Sequence, residues 1–137
     1  MTDILLTHSY FLRLDPKEYR AMMPYPPLGT LYAASLLRQK GYSVAIFDSM
    51  LAENESEIQA ALESYKPRMV VIYDDDFNYL TKMCLSRMRN AAFGLARFAK
   101  QTGAVVAVHG SDASDHLDAY VEHCADFVLC GEAELTL

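Results

Sequence analysis

A chain of 137 residues, half of it apolar and carrying a net charge of −6, has the length and composition of one domain that buries its own core. The acidic balance excludes a nucleic-acid partner, because neutralising phosphates requires a basic face. No apolar run reaches the roughly 18 residues that span a bilayer, and the N-terminus has no basic stretch of the signal-peptide kind, so no membrane partner is expected and the expected compartment is the cytoplasm.

Short β-rich runs alternate with segments of helical period. Residues 3–7 read as a first strand. In residues 28–40, Leu28, Leu31, Tyr32 and Leu36 recur at i, i+3, i+4 and i+8, which predicts an amphipathic helix with that stripe inward, closed by Gly41. Residues 43–48 read as the second strand. Asn54 with Glu57 forms a capping-box pattern ahead of the stripe Ile58, Ala61, Leu62 and Tyr65, and Pro67 ends that helix. Residues 68–73 form a third strand.

A long helix follows, with Leu80, Met83, Cys84, Met88, Ala91, Ala92, Leu95, Phe98 and Ala99 on its inner face and Lys82, Arg87, Arg89 and Arg97 on its solvated side. Residues 104–109, an unbroken apolar run to His109, suit a strand covered on both faces. A last helix runs from an N-cap at Ser114 through Leu117, Tyr120, Val121 and Cys124, and residues 126–130 give a fifth strand. The three cysteines, Cys84, Cys124 and Cys130, form no C-x-x-C and read as buried structural thiols, with Cys130 the one beside a glycine.

The βαβαβαβαβ alternation predicts a doubly wound, flavodoxin-like sheet of order 2-1-3-4-5 with helices on both faces. Ligands of such sheets bind outside the C-terminal strand ends, where the order reverses. Four segments reach that edge. The 20-residue connection 8–27 carries Tyr10, Phe11, Tyr19, Met22, Met23 and Tyr25, and reads either as a lid packed on its own domain or as a mobile surface that closes over a ligand or another domain. Asp74, Asp75 and Asp76 follow strand 3 as a solvated turn, a set of contacts to a cofactor's amides, or a divalent-metal site. His109-Gly110-Ser111-Asp112 follows strand 4, with His109 either a core histidine or a ligand contact, and Gly131-Glu132 follows strand 5. His8, His116 and His123 show no ligand-like spacing, and the last two read as surface residues.

Several ligand classes fall away by what is missing. No G-x-G-x-x-G follows strand 1, no Gly-rich loop carries Lys-Ser/Thr, and His8-Ser9-Tyr10-Phe11 is not a flavin phosphate loop. A phospho-accepting receiver would need acids where Thr7-His8 stands and a lysine where Cys130-Gly131 stands.

The run Pro26-Pro27-Leu28-Gly29-Thr30-Leu31-Tyr32-Ala33-Ala34, then Gly41-Tyr42-Ser43-Val44 and Phe47-Asp48, resembles the opening of the N-terminal cobalamin-binding domain of radical SAM proteins. That family continues with a G-G-x-H-A-S-like turn and ends with G-E-G-E. The counterparts here are His109-Gly110-Ser111-Asp112-Ala113-Ser114 and Gly131-Glu132-Ala133-Glu134. His109 replaces the first glycine, Asp112 stands where histidine is common, Ala133 replaces a glycine, and residues 74–79 are more acidic than the family's loop.

The resemblance implies a corrinoid over the C-terminal edge, held by Leu28, Gly29, Asp74, Asp75, His109, Gly110, Ser111, Gly131 and Glu132. It implies no cobalt ligand, since the D-x-H-x-x-G motif is absent, and no catalytic residue in this chain, since C-x-x-x-C-x-x-C is absent. An iron–sulfur cluster and S-adenosylmethionine would belong to a C-terminal radical SAM catalytic domain performing methyl transfer or a related modification. Residues 1–137 would then be a fragment of a longer protein. The alternative is a regulatory or binding module of the same fold that has lost the corrinoid.

Overall fold

The computed structural model describes residues 1–74 and 85–137. Five strands, β1 (Ile4–Thr7), β2 (Val44–Ile46), β3 (Met69–Tyr73), β4 (Val105–His109) and β5 (Phe127–Leu129), form one sheet of order β2-β1-β3-β4-β5. Every pair is parallel and the registers run in step, Ile4 beside both Val44 and Met69, and Met69 beside Val105. The doubly wound sheet read from the alternation is therefore the fold.

Alternation along the strands sorts the core into two layers. Leu5, Val70, Ile72, Val106 and Val108 point to one face and pack with Ile58 and Leu62 of α3 (Ile58–Tyr65), with Ala91, Ala92, Leu95, Ala96 and Ala99 of α4 (Leu85–Gln101), and with Ala113 and Tyr120. Ala113 belongs to the short helix α5 (Ser111–Asp115) and Tyr120 to α6 (Leu117–Glu122). Ile4, Leu6, Val71, Tyr73 and Ala107 point to the other face, where α2 (Leu28–Gln39) supplies Ala33, Ala34 and Leu37, and Ala133 joins them. Among the described residues α2 is the only helix in that second layer. Beyond its end a cavity of about 330 Å³ opens at the N-terminal edge of the sheet, between Ile4, Met69, Val105 and Leu137.

The inward face of α2 is not the predicted one. Leu28 (67 % exposed), Leu31 and Tyr32 (60 %) face outward, and Thr30, Ala33, Ala34 and Leu37 face the sheet. Both sets satisfy helical spacing. The strands beneath already carry Ile, Leu and Val, so only small side chains let the helix axis come close, and the Thr30 hydroxyl is satisfied by donating to the Tyr73 carbonyl at 2.8 Å. The predicted stop holds: Gly41 (φ +94°) donates to the Arg38 carbonyl and Tyr42 to that of Leu37, the paired bonds of a Schellman turn.

Three smaller readings are also corrected. Ser114 lies inside α5 and its hydroxyl donates to the Gly110 carbonyl, so it is not an N-cap. Arg89 is not on a solvated side, since it donates twice to Asp112 at 2.8 and 2.6 Å. At Asn54 the first turn is a 3-10 turn, so Glu57 accepts from the amide of Glu53 and the capping box is shifted by one residue. The predicted positions Leu80, Lys82, Met83 and Cys84 of the long helix lie outside the described residues.

The connection 8–27 divides in two. Tyr10, Phe11 and Leu12 are buried, Phe11 completely, and Asp15 caps α1 (Pro16–Ala21) while accepting from the Tyr10 hydroxyl. Tyr19, Met22 and Met23 are exposed. Its opening third is core, as a lid packed on its own domain would be, and only the second part presents apolar side chains outward. No helix of the described residues is long and apolar enough to cross a membrane.

Candidate functional site

The C-terminal edge is built in two levels, a floor tied by the protein itself and a rim open to solvent. The floor centres on Asp74, directly after β3. One oxygen accepts the Ser9 backbone N–H at 2.7 Å and the other the Ser9 hydroxyl at 2.8 Å, while the Asp74 amide donates to the His109 carbonyl. Asp74 thus joins the ends of β1, β3 and β4, a structural tie and not a free ligand contact. Asp75 and Asp76 lie outside the described residues, so the metal and cofactor readings of the acidic turn rest on positions the structure does not describe. Among the described residues no group of three His, Cys, Asp or Glu side chains could hold a metal.

Gly110 sits against this tie. Its φ is +151°, and a Cβ there would come within 3.1 Å of the Asp74 Cβ, so glycine is required by backbone and packing alone. His109 is buried, its ring stacked on Tyr73 with centroids 4.3 Å apart, and its Nε2 donates to the Gly131 carbonyl at 2.9 Å. Of the two readings of His109 this is the packed one, in which the histidine holds the turn after β5 to the end of β4. The Tyr73 hydroxyl in turn donates to Glu134, whose carboxyl is held below its usual range first by its own backbone N–H and then by that hydroxyl.

Asp112 completes the floor. Burial pushes its carboxyl up, but donation from Arg89 and from the Tyr120 hydroxyl outweighs burial, and the net position is below the ordinary value. The Tyr120 hydroxyl is pushed far up, first by burial and then by the Asp74 charge.

The rim holds the other predicted residues. Ser111, Gly131, Glu132 and Leu28 are exposed and Gly29 is half-buried. The Thr30–Tyr73 bond sets the first turn of α2 over the end of β3, which brings Leu28 and Gly29 to the same edge as the turns after β4 and β5. A Cβ built at Gly131 would meet nothing within 4 Å, so that turn is open to an approaching ligand.

One cluster escaped the sequence reading. His8, directly after β1, is only 3 % exposed, and its Nε2 lies 2.7 Å from Oδ1 of Asp48, two residues beyond β2. Its Nδ1 accepts the Tyr10 N–H at 3.3 Å, which places the ring proton on Nε2. Ser49, fully buried, donates to the His8 carbonyl. The strand register brings them together: Leu6 pairs with Ile46, so His8 and Asp48 stand at equal offsets beyond paired positions of adjacent parallel strands. His116 is half-exposed, as read, 3.7 Å from Asp112, while the exposed His123 stacks on Phe93.

Of what a corrinoid would need, the rim presents exposed turns at Ser111 and Gly131 and an exposed apolar side chain at Leu28. Both nitrogens of His8 and the Nε2 of His109 are turned inward to protein partners, so neither residue presents a cobalt ligand through those atoms.

No family model and no curated protein matches the chain. Solved structures do match. The crystal structure of a protein called TesA aligns at 15 % identity with a TM-score of 0.54, covering 91 % of this chain and 76 % of that one. The solution structure of a de novo designed Rossmann 2x3 protein aligns at 10 % identity with a TM-score of 0.52, covering 98 % and 83 %. Likenesses at these identities establish the class, an all-parallel doubly wound α/β fold, and nothing about chemistry.

Proposed function

We propose that this chain is a corrinoid-binding module, which lays the cofactor over the C-terminal edge of the sheet and presents it to a radical SAM catalytic domain. The observation that carries the reading is the open rim. The motif residues Leu28, Gly29, Ser111, Gly131 and Glu132, widely separated in sequence, converge there, at the edge where doubly wound sheets bind ligands. When bound, the corrinoid supplies alkyl–cobalt chemistry. The chain's own part is to seat the ring, with Leu28 giving apolar contact and the turns after β4 and β5 giving polar contact. The floor residues Asp74, His109 and Gly110 then support those turns from beneath and do not touch the ligand. The iron–sulfur cluster and S-adenosylmethionine belong to the catalytic domain in this reading, and the compartment is cytoplasmic.

Titration with hydroxocobalamin, followed by visible absorbance or calorimetry, tests it. Weak binding is expected, because the ring's second face lacks the cover of the catalytic domain. No binding at high micromolar corrinoid would overturn it. The second reading, a binding or regulatory module without corrinoid, is favoured by the internal satisfaction of Asp74 and by the purely structural need for Gly110. Colour separates the two, since a corrinoid complex is pink to orange.

A further inference from the structure

The pair His8–Asp48 asks for a role beyond folding. Burying an imidazole is costly unless both nitrogens are satisfied, and here the whole arrangement fixes one carboxylate that is itself half exposed (side chain 50 %). Asp48 also caps the 3-10 turn Ser49–Leu51, its side chain accepting from the Met50 amide at 3.0 Å. A cap of that kind needs only one oxygen, and an asparagine or serine supplies it equally well. Both the His8 bond and the Met50 bond fall on Oδ1. The carboxylate is thus gripped through one oxygen, while its Oδ2 makes neither of these bonds on a side chain half exposed beyond the C-terminal end of β2. Burial raises the Asp48 carboxyl, the bonds from His8 and Met50 lower it, and the net result lies below the ordinary value, so the group is anionic at neutral pH.

We infer that Asp48, oriented by His8, is a ligand-binding acceptor that takes a neutral N–H or O–H donor of the bound molecule through Oδ2. Asp48 closes the Phe47-Asp48 pair of the sequence resemblance but was not among the residues expected to touch the ligand. The inference rests on the corrinoid reading above and extends it, because a corrinoid's rim carries primary amides and its tail a ribose hydroxyl, both donors of the required kind. Asp48 stands beyond β2, the edge strand next to β1, so it would meet the periphery of a ligand seated over the neighbouring strand ends.

Asp48→Asn is a clean test. The amide oxygen keeps the acceptor for His8 and Met50, while the other oxygen becomes an N–H donor that opposes the ligand's own donor. The variant should keep the wild-type circular dichroism and unfolding midpoint, and should bind hydroxocobalamin about tenfold more weakly, the loss of one good hydrogen bond. Dicyanocobinamide, which lacks the nucleotide tail, locates the donor: an equal loss assigns a ring amide, and an unchanged affinity assigns the tail. His8→Gln, which frees Asp48 to rotate, should weaken hydroxocobalamin binding in the same direction by a smaller factor. If wild-type protein binds hydroxocobalamin and a folded Asp48→Asn binds both probes equally well, the inference is wrong while the corrinoid reading stands. If wild-type protein binds neither probe, the corrinoid reading fails and takes this inference with it.

Discussion

The floor and the rim of the strand edge contain the same kinds of residue and behave differently. Asp74 and Gly110 in the floor are accounted for inside the molecule, the aspartate by two bonds from Ser9 and the glycine by the Asp74 Cβ 3.1 Å from its missing side chain. Glu132 and Gly131 in the rim are exposed, and nothing lies within 4 Å of a Cβ at Gly131. An acid or a glycine beside a strand end therefore does not identify a ligand contact. What separates the two cases is whether the surrounding protein already explains the residue.

That contrast is open to measurement, and the largest effect belongs to the floor. Gly110→Leu places a side chain against Asp74 at a backbone angle that disfavours it, and should destabilise the domain by about 3 kcal/mol in chemical denaturation. A loss below about 1 kcal/mol would mean that the floor is not tight and that the glycine is there for a ligand.

The Arg89–Asp112–Tyr120 cluster comes next. Asp112→Ala leaves a guanidinium and a hydroxyl without their partner in a largely buried place and should cost about 2 kcal/mol at neutral pH. The sign with pH follows from the lowered carboxyl. Its contribution is fully present above the ordinary value of 3.8 and is lost as pH falls through its lower folded value. The gap between wild type and variant should therefore be flat near neutrality and shrink only below pH 3.8. A gap that shrinks between pH 5 and 7 would assign the effect to another group.

The smallest effects on stability belong to the rim. Leu28→Ser and Glu132→Gln change exposed side chains and should each move unfolding by less than about 0.5 kcal/mol. Under the corrinoid reading Leu28→Ser should nevertheless weaken hydroxocobalamin binding. A variant that unfolds the domain but spares binding, or the reverse in the floor, would erase the distinction between the levels.

How far the sequence could be read differs between these parts. Strand positions and sheet order were legible because parallel strands covered on both faces are unbroken apolar runs, as at Val105–His109, and because right-handed crossovers leave few orders open. The inward face of α2 was misread because large apolar residues look like core, whereas a sheet rich in branched side chains admits only Thr30, Ala33, Ala34 and Leu37 at close range. Arg89 looked solvated because its partner Asp112 is 23 residues away and meets it only in the fold. The pair His8–Asp48, 40 residues apart, was hidden until β1 and β2 were placed side by side.

By itself the sequence determined the doubly wound class and the strand order, because period, turn residues and handedness are local properties that survive without knowledge of contacts. The tertiary structure decided which residues at the C-terminal edge are floor and which are rim. That division depends on bonds between chain segments 22 to 65 residues apart, His109 to Gly131 and Ser9 to Asp74 among them, and such bonds leave no periodic trace in the sequence.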